Sequence, residues 1–145
     1  PMADGFGGAF DLISGTPPYF PPEAALEAED EQRAYARIEY RGGVEAYISA
    51  GAQLLAPNGA LVVCGDARAL QRTTSACDGE GLSLHSRCDV VARAGLLPLF
   101  SIWTARKIPA ASCPVLTLTL RGADGEPTQD AANLREFSGF ERSAS

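Results

Sequence analysis

Apolar and polar positions alternate between two rhythms along this chain. Phe10 to Ser14 (Phe-Asp-Leu-Ile-Ser) is a short, mainly apolar run closed by Gly15, the pattern of a buried parallel strand. It leads into Thr16-Pro17-Pro18-Tyr19-Phe20-Pro21-Pro22, where four prolines in seven residues exclude both helix and strand pairing and stiffen a loop. Glu23 to about Tyr40 is rich in Ala, Glu and Arg and fits an exposed helix or a mobile lid. After Gly42-Gly43, the residues Val44, Ile48, Ala52 and Leu55 recur at helical spacing, so Val44 to Leu55 is predicted as a helix with one apolar face. Ala56-Pro57-Asn58-Gly59 ends it, because proline cannot continue a helix and Asn-Gly tolerates a left-handed turn. Ala60 to Cys64 (Ala-Leu-Val-Val-Cys) is a second apolar strand. Strand, loop, helix, turn, strand is a βαβ unit, whose crossover is right-handed in nearly all proteins.

The second half is less regular. Ala67 to Ala76 and Leu82 to Ala94 are predicted as helices separated by Asp78-Gly79-Glu80-Gly81. Leu97 to Thr104 and Val115 to Leu120 are predicted as strands, and the period-two alternation of Val-Leu-Thr-Leu-Thr-Leu points to an antiparallel one. From Gly122 onward the chain turns polar, with Gly, Pro, Asp and Ser, and is expected to be a loose tail. No internal repeat is present.

Composition narrows the class without choosing a chemistry. A chain of 145 residues, 46% hydrophobic and 21% charged, fits one soluble domain with one core. No apolar run approaches the roughly 20 residues of a membrane span, and Pro1 to Phe10 lack a secretory pattern; a cytoplasmic protein is expected. Cys64, Cys77, Cys88 and Cys113 are scattered, with only His85 to assist them, so reduced thiols are expected and neither a disulfide frame nor a metal. Twelve basic against eighteen acidic residues leave a net charge of -6. That balance opposes a phosphate clamp built by this piece alone.

The proline loop is the segment that can carry chemistry. Ligands of open α/β sheets sit beyond the carboxyl ends of the strands, and here a rigid loop leaves such an end. A planar amine can donate one hydrogen to the Thr16 hydroxyl and another to the Pro17 carbonyl, which Pro18 helps to hold, while Tyr19 or Phe20 covers the ring face by stacking. Holding the nitrogen lone pair toward an electrophile in this way is catalysis by positioning.

Phe10-Asp11-Leu12-Ile13-Ser14-Gly15-Thr16-Pro17-Pro18-Tyr19-Phe20 resembles the fourth strand and following Asn- or Asp-Pro-Pro-Tyr loop of amino-methylating class I S-adenosylmethionine-dependent methyltransferases. Ala36-Arg37-Ile38-Glu39 is similar to an Ala-Arg-x-Glu of their tRNA adenine-N6 group. Leu54-Leu55-Ala56-Pro57-Asn58-Gly59-Ala60-Leu61-Val62-Val63 is similar to the Leu-Leu-x-Pro-Gly-Gly-x-Leu run entering the fifth strand. The likeness covers residues 8 to 66 by motif and reaches about residue 121 by the order of elements.

The resemblance implies an α/β fold, the C-terminal half of a Rossmann-like methyltransferase sheet, over residues 1–121, with residues 122–145 a polar tail. Strands are then expected near 10–14, 60–65, 97–105 and 114–121, the last inserting antiparallel between the second and third. It implies methyl transfer to a nitrogen, adenine N6 in RNA first. Thr16, Pro17, Pro18 and Tyr19 would be catalytic and Phe20, Arg37 and Glu39 would bind substrate. The alternatives are a protein glutamine or small-molecule acceptor, or a non-catalytic binding module. S-adenosylmethionine would be held mainly by an N-terminal half not contained here. The strand at Phe10, lacking its inner neighbour, would be open to self-association.

Two features depart from the family pattern. Thr16 stands where the family has Asn or Asp, and a hydroxyl is a shorter acceptor whose own proton needs a partner. The glycine turn that cradles the cofactor should follow a strand, whereas Asp4-Gly5-Phe6-Gly7-Gly8 precedes one and reads as a flexible connection. Elsewhere, His85 reads as a surface residue on a helix, and methyl transfer to an amine needs little base help. Arg37 and Glu39 equally fit a solvated charged helix with Glu27, Glu29, Asp30, Glu31 and Arg33, and Trp103 reads as core.

Overall fold

A computed structural model of the chain describes residues 10–18 and 43–139. Strand β1 (Phe10–Gly15) is followed by helix α1 (Val44–Leu54) and then directly by strand β2 (Leu55–Gly65). A 3-10 turn at Ala67–Ala69 opens helix α2 (Leu70–Gly79), and strands β3 (Ser83–Val91), β4 (Phe100–Arg106) and β5 (Val115–Thr119) precede helix α3 (Gln129–Ser138). The five strands form one sheet in the order β1-β2-β4-β3-β5. β1 and β2 are parallel, β4 runs antiparallel to both β2 and β3, and β5 is parallel to β3. Four strands thus point the same way, and Gly15, Gly65, Val91 and Thr119 end them along one rim.

α1 forms because Val44, Ile48, Gly51 and Ala52 share one face and all four are buried. It starts at Gly43 without a side-chain cap. The expected stop at Ala56-Pro57-Asn58-Gly59 becomes an irregularity inside β2: between Phe10 and Leu12 the partner on β2 advances from Leu55 to Ala60, so residues 56–59 bulge out of the ladder. Glycine is needed at position 59, where an added Cβ would lie 2.9 Å from the Phe10 carbonyl oxygen and 3.1 Å from that of Asp11.

The core lies on one sheet face, under α1 and α2. It is built from Val44, Ile48, Ala52, Leu55, Leu61, Val63, Cys77, Leu82, Trp103 and Ala105, with Ile13 and Leu84 packed at its margin. Trp103 is fully buried, as its surroundings in sequence predict, although its indole N–H has no hydrogen-bond partner among the described residues. Burial of Cys77, with Asp78 beside it, pushes its thiol up to about 11, so it behaves as a small core residue and not as a nucleophile. Among the described residues, Cys64, Cys77, Cys88 and Cys113 form no disulfide.

Three expectations are corrected. Leu82 to Ala94 was expected as a helix, but Ser83–Val91 is strand β3. Its polar residues, which resemble a solvated helix face, are paired within the sheet instead: Arg87 Nε donates to Asp89 (2.6 Å), and the buried Ser101 hydroxyl on β4 donates to the same carboxylate. His85 therefore sits on a strand, where its Nε2 donates to the Ile108 carbonyl at 2.9 Å. That extra strand shifts the count by one. The strand inserted antiparallel beside β2 is β4, and the alternating run at 115–119 instead pairs parallel with β3 at the far edge.

The polar stretch after Gly122 also contains ordered structure. Thr128 caps α3 by accepting from the Ala131 N–H at 3.2 Å while its hydroxyl donates to the Thr119 carbonyl, which ties the helix to β5. Among the described residues, no helix is long and apolar enough to cross a membrane.

Candidate functional site

The carboxyl ends of parallel strands gather their following loops on one rim, where ligands of α/β sheets bind. On β1 that loop starts at Gly15. Thr16 is exposed, Pro17 is buried and Pro18 is half-buried. The buried Pro17 anchors the turn while the Thr16 hydroxyl, with one donor and two lone pairs, remains at the surface. Tyr19, Phe20, Arg37 and Glu39 lie outside the described residues, as do the 23–40 segment and the Asp4–Gly8 turn. Of the seven residues assigned to the site from sequence, the structure therefore brings together Thr16, Pro17 and Pro18.

One further residue, Tyr47, lies at this corner, and sequence reasoning did not select it. Because α1 runs directly into the start of β2, its first turn lies back at the rim. Tyr47 there rests on Gly15: a Cβ at position 15 would lie 2.8 Å from Tyr47 Cδ1 and 3.3 Å from Cε1. Glycine is required at 15 for this contact. One signal was available, since Tyr47 stands at i+3 from Val44 and one residue before Ile48, on the flank of the apolar stripe.

The same first turn is braced electrostatically. Glu45 on α1 takes a two-pronged bond from Arg72 on α2, with Nε donating at 2.6 Å and Nη2 at 2.8 Å. The Arg72 guanidinium holds the Glu45 carboxyl below its usual range. Beyond the carboxyl end of β2, Asp66 accepts from the Arg68 backbone N–H at 2.9 Å and from its guanidinium at 2.5 Å, which likewise keeps that carboxyl ionised to lower pH. Arg68 and Arg72 are thus both engaged by carboxylates of this chain.

These residues do not fit a cradle for S-adenosylmethionine. Among the described residues, no parallel strand runs into a Gly-x-Gly turn. Asp66, the acidic group beyond the end of β2, is paired with Arg68.

No protein-family model matches the chain, and no curated protein matches it. Solved structures do. One described as a predicted O-methyltransferase from Agrobacterium tumefaciens superposes with a TM-score of 0.58 at 15% identity, over 90% of this chain and 52% of that protein. The chain has a Rossmann-like methyltransferase fold. It spans about half the length of that neighbour. A complex of M1.HpyAVI with SAM matches at a TM-score of 0.46 and 17% identity, over 87% of this chain and 63% of the other, and M1.HpyAVI alone matches at 0.44.

Proposed function

We propose that this chain is the acceptor-binding, C-terminal part of an S-adenosylmethionine-dependent methyltransferase that methylates a planar amino group, that of adenine N6 in RNA first. The observation that carries the reading is the Gly15-Thr16-Pro17-Pro18 turn, with Pro17 buried and Thr16 exposed, leaving β1 at the carboxyl rim of a methyltransferase sheet. Thr16 accepts one amino hydrogen and the Pro17 carbonyl the other, which turns the nitrogen lone pair outward. This chain supplies geometry, and S-adenosylmethionine held by another part of the protein supplies the methyl group. Tyr19 and Phe20 follow as ring contacts, and Arg37 and Glu39 as substrate contacts.

A second reading keeps the fold and changes the acceptor to a protein glutamine amide or a small molecule. It is favoured by the net charge of -6 and by Arg68 and Arg72 being engaged with Asp66 and Glu45. The test is methyl transfer by the full-length protein from labelled S-adenosylmethionine to RNA, to protein and to free nucleosides. Thr16→Ala is expected to lower transfer by about 10-fold or more, as loss of one orienting hydrogen bond does, while Thr16→Asn retains it. A binding module would transfer no label in any form, and Thr16→Asn would not restore it.

A further inference from the structure

We infer that Tyr47 forms one wall of the acceptor pocket and contacts the planar ring that carries the amino group, an inference that rests on the amine-acceptor reading above. Nothing in the loop motif points to this residue, which lies 31 positions beyond Thr16 on another element. Three observations converge on it.

The ring is fixed in place. Its Cδ1–Cε1 edge lies on Gly15, the residue before Thr16, so closely that no other side chain fits at position 15 without a shift. Two residues earlier on the same turn, Glu45 is clamped to Arg72 of α2. A ring seated on Gly15, on a helix turn that Glu45 ties to α2, needs little reordering when a ligand arrives, which is what a pocket wall requires.

The ring is also only half used. Tyr47 is 42% exposed, although its neighbours Val44 and Ile48 on the same helix stripe are buried at 4% and 0%. A tyrosine kept for packing alone would bury its body and give its hydroxyl a partner; no hydrogen bond from this hydroxyl is present among the described residues.

Finally, its place is right. Gly15 and Thr16 have Cα atoms about 3.8 Å apart across their peptide bond, so an amine held at Thr16 and Pro17 brings its ring within reach of Tyr47. Stacking on an aromatic face is tolerant of the base and suits a purine.

The experiment is an adenosine titration of the full-length protein, followed by NMR of labelled tyrosine rings, with Tyr47→Phe assigning the Tyr47 signal. Adenosine should shift the Tyr47 ring. Tyr47→Leu should weaken adenosine by about 10-fold with an unchanged melting temperature, and Tyr47→Phe should keep most of the affinity. Gly15→Ala, which displaces the ring, should weaken binding in the wild type and add nothing in the Tyr47→Leu background. If Thr16→Ala weakens adenosine while Tyr47→Leu leaves it within about twofold, Tyr47 is a packing residue and the inference is overturned, with the amine-acceptor reading intact. If adenosine binds neither the wild type nor any variant, that reading itself falls and the role of Tyr47 falls with it.

Discussion

The two faces of the sheet differ sharply in how they meet their surroundings. On one, Leu61, Val63, Ser101, Trp103 and Ala105 are buried beneath α1 and α2. On the other, the intervening residues Val62, Cys64, Ile102 and Thr104 are only half-buried, and Leu12 and Leu116 at the two ends are 65% and 61% exposed. Strands in parallel sheets ordinarily carry cover on both faces. Among the described residues, one face is a closed core and the other is only half covered. The closed face is also the one that carries α1, and with it Tyr47, to the rim.

The largest test of this contrast is a pair of truncations on adjacent residues of β4. Trp103→Ala, on the closed face, should cost about 3–5 kcal/mol, whereas Ile102→Ala, on the other, should cost about 1 kcal/mol; urea denaturation reads both. Similar losses would mean that both faces are equally covered. Ser101→Ala should fall between them. It removes the hydroxyl that serves the Asp89 carboxylate deep in the sheet, at a cost of about 1–3 kcal/mol, and Ser101→Thr should recover part of that.

Smaller still is the brace at the rim. Glu45 ionises below its ordinary value of 4.5 in the folded chain, so its pairing with Arg72 stabilises the fold above that value and is lost as pH falls through the lowered one. Both side chains are about half exposed, at 46% and 45%, which limits the effect to about 0.2–1 kcal/mol. Melting curves of Glu45→Gln and wild type should therefore be separated above pH 4.5 and converge as pH falls below it through the lowered value. The least effect on stability, within about 0.5 kcal/mol, is expected for Leu12→Lys. Its effect on association should be the greatest of the set. Among the described residues β1 is an edge strand with exposed apolar side chains, so this chain is expected to self-associate and Leu12→Lys to reduce it. Sedimentation velocity measures this, and a clean monomer of the wild-type chain contradicts it.

Much of the first half was legible in the sequence for a local reason. The βαβ unit of β1, α1 and β2 has strong periodicities, although the turn expected at residues 56–59 is a bulge inside β2, and the Thr16-Pro17-Pro18 loop is recognisable wherever it sits. The second half was legible only in part. Residues 83–91 carry Arg87 and Asp89 in mid-strand, and polar side chains there look like an exposed helix unless their partner on a distant strand, Ser101, is known. One strand read as a helix then displaced the assignment of the antiparallel insertion to a later segment. The Tyr47–Gly15 contact was hidden for the same reason, since it joins residues that only the crossover brings together. At Thr128 a local signal was present: a threonine ahead of Gln129–Ser138 is a helix cap, outweighed by the polar composition of the surrounding tail.

Nucleoside analysis of RNA methylated by the full-length protein tests the central claim most directly. RNA treated with the protein and S-adenosylmethionine, then digested and weighed by mass spectrometry, is expected to contain adenosine bearing one added methyl group on its exocyclic nitrogen, with Thr16→Ala yielding about a tenth as much or less. A methyl group found on an oxygen or a carbon, or no methylated product from RNA, protein or small molecules, would contradict the assignment of this corner as an amine-holding site.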